Sequence, residues 1–264
     1  MKIYMVTDLE GVGGVVLKEQ TQPPDPLYQE ARHLLTQEVN AAVEGALEGG
    51  ATEILVRDGH GANGGYNFIF DQLHEGALYM MGSPTDSYLD EVDDSFDAIF
   101  QIGAHAMAGT LHGVLEHTQS SVAWDEMRVN GRPMGEMGFC AAVAGQHGVP
   151  CVLVTGDQAV CDEARDLLGP EVEVAVTKVG LSRTCAIMKS PAAVRSLIRE
   201  RARAAMAKID KVEPLDIGSP VEIVLRFKHV SNADGYKCAS KRRLDSKTIM
   251  VTGKTPREAF DNLA

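Results

Sequence analysis

The chain has 264 residues, 44% hydrophobic and 23% charged, and a formal net charge of −12. That length buries a full core, while the acidic balance excludes nucleic acid and anionic membrane surfaces as partners, because the phosphate attraction that drives such binding would be repulsive. No apolar run approaches the length of a membrane span and the N-terminus enters a strand without a signal core, so the sequence reads as cytoplasmic.

The first stretch, Ile3 to Val6, is apolar and β-prone, as in a buried strand. It ends in Asp8 and Glu10, followed by Gly11, Gly13 and Gly14. Residues two apart on a strand project to one side, so both carboxylates can reach one point beyond the strand end, where open α/β sheets bind ligands. Two acids on one spot need a cation between them: a metal, a substrate amine, or an Arg or Lys. The run Thr21-Gln22-Pro23-Pro24-Asp25-Pro26 predicts a loop. From Tyr28 to Glu48 apolar residues recur at three- and four-residue steps and Gly49-Gly50 stops them, which predicts an amphipathic helix. Thr52 to Val56 is a second buried strand, giving a strand-helix-strand opening with parallel pairing.

That strand leads into Arg57-Asp58-Gly59-His60-Gly61, and the strand predicted at Ala98 to Ile102 leads into Gly103-Ala104-His105. The glycines around His60 leave its imidazole room at the sheet edge that carries Asp8 and Glu10, and His105, two residues past Gly103, leaves its strand in a similar way. Between them, Leu78 to Met81 reads as a short strand, and the acidic run Asp86 to Asp97 reads as a solvated face. His112 and His117 follow in a segment of small residues. Asn130-Gly131 predicts a hairpin after a run from Ser121 toward Val129. Glu136 then stands near the N-terminus of a helix predicted over Met137 to Gln146, where the helix dipole alone would account for an acid.

Further strands are predicted at Cys151 to Thr155 and Val172 to Thr177, with helices ending near Leu168 and running from Ser190-Pro191 to Ala207. Val212 to Pro220 reads as a linker, dividing a catalytic α/β domain, 1–211, from a small α/β subdomain, 212–264. The expected fold is α/β, a largely parallel central sheet flanked by helices with the site at the carboxyl edge of its strands. Gly253-Lys254-Thr255 and Gly11-Val12-Gly13-Gly14 lack the flanking pattern of phosphate-binding loops. Cys140, Cys151, Cys161, Cys185 and Cys238 are scattered and read as reduced and structural.

Asp8, Glu10, His60, His105 and Glu136 are thus the polar residues of that edge. Mixed carboxylate and imidazole ligation suits Zn²⁺, Mn²⁺ or Co²⁺. Five ligands exceed the needs of one catalytic zinc and suffice for two if a carboxylate bridges. Three carboxylates and a hydroxide would neutralise two divalent ions, which, roughly 3.5 Å apart, would supply a nucleophile and polarise a carbonyl.

The ordered set Asp8-Leu9-Glu10-Gly11, Asp58-Gly59-His60, Gly103-Ala104-His105, Gly113-Val114-Leu115-Glu116-His117 and Arg132-Pro133-Met134-Gly135-Glu136 closely resembles the zinc D-aminopeptidases of the dipeptide-permease operon type. Similarity at Val154-Thr155-Gly156-Asp157 and Ser182-Arg183 extends it over nearly the whole chain. The resemblance implies two Zn²⁺ per chain, with Asp8 bridging, Glu10 and His60 completing one site, and His105 and Glu136 the other. It places the family's additional active-site histidine at His117, with His112 close by in sequence. It further implies short D-peptide substrates and a homodecameric double ring whose sites face an internal chamber. The same site could serve another small amide or ester, or a protein that binds peptide or metal without turnover.

Overall fold

The computed structural model describes residues 1–82, 89, 91–236 and 241–263. In chain order the elements are β1 (Lys2–Thr7), α1 (Pro26–Glu48), β2 (Glu53–Asp58), β3 (Leu78–Met80), β4 (Ala98–Ala104), β5 (Trp124–Val129), β6 (Arg132–Pro133), α2 (Glu136–Gly145) and β7 (Cys151–Asp157). They continue with α3 (Gln158–Leu168), β8 (Glu173–Ser182), β9 (Cys185–Met188), α4 (Pro191–Met206), β10 (Val221–Phe227), α5 (Val230–Gly235), β11 (Arg242–Arg243), β12 (Thr248–Gly253) and α6 (Pro256–Asp261). Asp86, Asp90 and Cys238 lie outside the described residues. Of the other cysteines, Cys140, Cys151 and Cys161 are buried and Cys185 is exposed.

Seven strands form the central sheet in the order β3-β2-β1-β4-β7-β8-β9, parallel throughout except for the edge hairpin β8–β9. This is the expected largely parallel sheet. The chain leaves β1 toward β2 on one side and leaves β4 toward β7 on the other. The carboxyl ends of neighbouring β1 and β4 therefore flank a topological switch point, the usual crevice for a ligand in such sheets. Strands buried on both faces explain the nearly continuous apolar runs of β1, β4 and β7.

One sheet face is covered by α1 and α4, through residues such as Leu35, Val39, Val194 and Ile198. The other is covered by α2 and α3 and by a second, antiparallel sheet, β11-β12-β10-β5-β6. Every residue of α2 from Met137 to Ala144 is buried, as a helix held between two layers must be; its Ala-rich sequence lets both layers approach. The second sheet joins the C-terminal strands to the Asn130-Gly131 hairpin from mid-chain, with Leu225 of β10 opposite Met127 of β5. Two expectations change in detail. The strand expected to stop at Thr177 runs on to Ser182 through a buried Lys178. The polar stretch before Arg243 contains α5 and β11.

Candidate metal centre

Because β1 ends at Thr7, Asp8 and Glu10 lie on the turn beyond it, and they converge by the path of that turn. The turn packs tightly against the end of β4: Gly11 N–H donates to the Gly103 carbonyl at 2.8 Å. A Cβ on Gly11 would fall 1.9 Å from the Ala104 oxygen, and one on Gly103, at φ +74°, would fall 2.2 Å from the Asp8 oxygen. Both glycines are there because backbones meet.

The six residues expected at the site all arrive there. His60, just past β2, sets Nδ1 2.8 Å from Asp8 Oδ1 and 3.2 Å from Glu10 Oε2. His105, just past β4, sets Nε2 3.2 Å from Asp8 Oδ2 and 3.3 Å from Glu136 Oε1. Glu136 is the first residue of α2. His117 stacks on His105 at 4.0 Å between centroids, with Nε2 3.7 Å from Glu136 Oε1. Two groups of potential ligands result, Asp8-Glu10-His60 and His105-His117-Glu136, each with its donor atoms within 4.8 Å of one another. Asp8 faces both. His112 stands apart: its exposed ring lies against the Leu181 carbonyl at 3.1 Å, and it is not among the residues lining the cavity.

The donor set fits divalent zinc. Among the described residues the buried atoms Glu10 Oε2 and His105 Nε2 find no hydrogen-bond partner; such atoms are costly unless a cation or water satisfies them. Each imidazole is also oriented by the protein. His60 Nε2 lies 2.7 Å from the Thr21 carbonyl, His105 Nδ1 2.9 Å from that of Ala106, and His117 Nδ1 2.9 Å from that of Leu115. A proton on each of those nitrogens leaves the other nitrogen's lone pair facing the cluster. In the metal-free protein burial alone would lower His60 and His105, but Glu10 and Asp8 around the first and Glu136 and Asp8 around the second raise both well above the ordinary imidazole range. Against burial, His105 and His60 hold Asp8 well below the usual carboxylate range, and His105 lowers Glu136.

A cavity of about 610 Å³ opens over the cluster, walled by Lys18, Thr21, Asn63, Leu115, Gln119 and Arg183 among others. Sequence reading did not single out most of this wall as functional. The segment carrying His117 is held from several sides. Val114 N–H donates to Asp157 Oδ2 at 2.6 Å, Leu115 N–H to the Arg183 carbonyl at 2.9 Å, and Arg183 Nε to Glu116 Oε1 at 3.2 Å. Leu115 (φ 53°) and Gln119 (φ 56°) adopt left-handed backbone on either side of His117, a strain that side chains other than glycine accept where the surroundings enforce it. Gln119 N–H in turn donates to Glu136 Oε1 at 2.7 Å.

The family model for D-aminopeptidases of peptidase family M55 matches residues 1–264. A D-aminopeptidase of Bacillus subtilis (strain 168) is 32% identical over 263 residues, covering 98% of this chain and 94% of the relative. Among solved structures, the chain is similar to the Zn-dependent D-aminopeptidase DppA from Bacillus subtilis, described as a self-compartmentalizing protease. The TM-score is 0.93 at 29% identity, over 99% of this chain and 95% of that one.

Proposed function

Because the chain belongs to the M55 family of D-aminopeptidases, we propose that it is a zinc-dependent peptidase that removes the N-terminal residue from short D-amino-acid peptides, using two zinc ions per chain. The observation that carries the reading is the pair of three-residue groups facing one another across Asp8. Asp8 would bridge, Glu10 and His60 would complete one metal, and His105 and Glu136 the other. Zinc so held supplies a Lewis acid for the scissile carbonyl and a water of lowered pKa as nucleophile.

The chain's own residues do the rest. His117, its Nδ1 fixed on the Leu115 carbonyl, lines the cavity, where its Nε2 lone pair can take the proton that the attacking water loses and pass it to the departing amine. The cavity of about 610 Å³ lies within the range of roughly 300–1,000 Å³ of small-ligand sites, so it suits a peptide of a few residues. Lys18 and Arg183 on its wall suit the free carboxylate of such a peptide. The relative's self-compartmentalizing assembly supports an oligomer here, which we read as a decameric double ring enclosing the sites. No described helix is long and apolar enough to cross a membrane, in accord with action in the cytoplasm.

The test is release of free amino acid from D-Ala-D-Ala and from L-Ala-L-Ala by protein stripped with a chelator and reloaded with zinc. Cleavage of the D-peptide alone, restored by zinc, is the expected result. Two bound zinc ions without cleavage of either peptide would return the substrate to another small amide or ester.

A further inference from the structure

The turn that carries Glu10 is held from inside the protein by a device outside the ligand set. Lys178 is a fully buried cation on β8. Its Nζ donates to three backbone carbonyls of this turn, those of Glu10, Val12 and Val15, at 2.5, 2.8 and 2.6 Å. The preceding residue, Thr177, donates its hydroxyl to the Gly11 carbonyl at 2.7 Å, with Gly156 a second acceptor at 2.9 Å. From the other side, Glu38 of α1 accepts the Gly13 N–H on Oε1 at 2.8 Å.

Consecutive residues of a regular strand point to opposite faces, so Thr177 and Lys178 should not both serve one turn. A register slip permits it. Gly156 of β7 pairs with Val176, but Asp157 pairs with Lys178, which leaves Thr177 as an extra residue on β8. Such bulges re-aim side chains beside active sites. An ammonium offers three donors, and here each finds a carbonyl, so burial leaves none unsatisfied. A purely structural lysine in this place would be an expensive choice, since apolar packing commonly stabilises a core as well. What the lysine adds is a fixed path for one particular turn.

We propose that Thr177 and Lys178 are positioning residues for the metal centre, fixing the 10–15 turn so that Glu10 and, through Thr21, His60 converge on one zinc ion. The proposal rests on the two-zinc reading above. It is selective for one metal: Glu10 lies on this turn, and the Thr21 carbonyl that orients His60 lies at the end of the same loop. His105 and Glu136, by contrast, stand past the end of β4 and at the start of α2, and neither is among the hydrogen-bond partners given above for Thr177 and Lys178.

The experiment is a competition titration of zinc-free protein with a chromogenic chelator, for the wild type, Lys178→Met and Thr177→Val, with circular dichroism of each metal-free variant as the check on folding. Loss of an outer partner commonly weakens metal binding about tenfold to hundredfold. The expected result is a fall of that order at one of two sites, with the other changed less than about threefold. Thr177→Val removes one hydroxyl at nearly constant volume, so it decides the matter if Lys178→Met fails to fold. Wild-type affinity at both sites in a folded variant would overturn the proposal, as would an equal fall at both. Failure of the wild type to bind two zinc ions would instead strike the two-zinc reading, and the proposal with it.

Discussion

Each imidazole of the centre spends one nitrogen on a backbone carbonyl and turns the other inward, so protonation and metal binding compete for the inward one. In the metal-free protein the surrounding acids keep protons on His60 and His105. That pairing stabilises the apo fold below the ordinary imidazole pKa of about 6.5 and is lost as pH rises through the raised folded values. Zinc affinity has the opposite sign: it should climb as pH rises toward the raised values, by about tenfold per unit for each proton displaced, and level off above them. Calorimetric zinc titrations in buffers of different ionisation enthalpy would count those protons. His117→Ala should keep both metals while kcat falls about 10²- to 10⁴-fold, read by metal analysis alongside dipeptide turnover. At this scale the sequence was informative where glycine flanks a histidine after a strand, as at His60 and His105. The carbonyls that orient the rings come from Thr21, Ala106 and Leu115, whose residue types say nothing of it.

Among the elements, the turn after β1 and the end of β4 are mutually dependent. Gly103→Ala places a side chain at φ +74° and 2.2 Å from the Asp8 carbonyl. The backbone conformation costs about 1–2 kcal/mol and the crowding about 1–3 more, and relief must come by moving Asp8. We expect a lower melting temperature together with weakened zinc binding, measured on metal-free and loaded protein. The strands and helices that flank this contact were readable from the sequence, because apolar runs and three-to-four spacing report burial directly. α1 was expected from Tyr28 and begins at Pro26, where Asp25 caps it by accepting the Leu27 N–H. β8 was read short for a physical reason: strand patterns treat a lysine as an end, and Lys178 is buried on three carbonyls that no local pattern announces. The antiparallel partner β9, with Ile187 62% exposed, likewise lacks the apolar run by which the inner strands were recognised.

For the molecule as a whole, the instructive contact is between layers far apart in sequence. α2 brings Glu136 to the cluster, and the core that α2 shares draws on both sheets, including Val221, Ile223 and Val251 of the C-terminal strands. Protein truncated after residue 211 would retain all five proposed metal ligands and His117 yet lack β10 and β12. We expect it to expose apolar surface and to bind zinc at least tenfold more weakly than the full chain, as dye binding and chelator competition would register. Retention of native affinity would make 1–211 a self-sufficient domain. The layering of the central sheet followed from sequence periodicity, whereas the pairing of β10 with β5 joins segments about a hundred residues apart.

That pairing also sets a timetable. Asp8, Glu10, His60, His105 and Glu136 are all translated before β10 and β12, the strands that complete the layer over α2. A ribosome-bound chain thus carries all five proposed ligands well before the strands that complete the layer over α2, and if the truncated protein binds zinc weakly, as expected, metal loading would be a late step of biosynthesis. A peptidase loaded in that order would gain its hydrolytic power only after the rest of its own chain has been made.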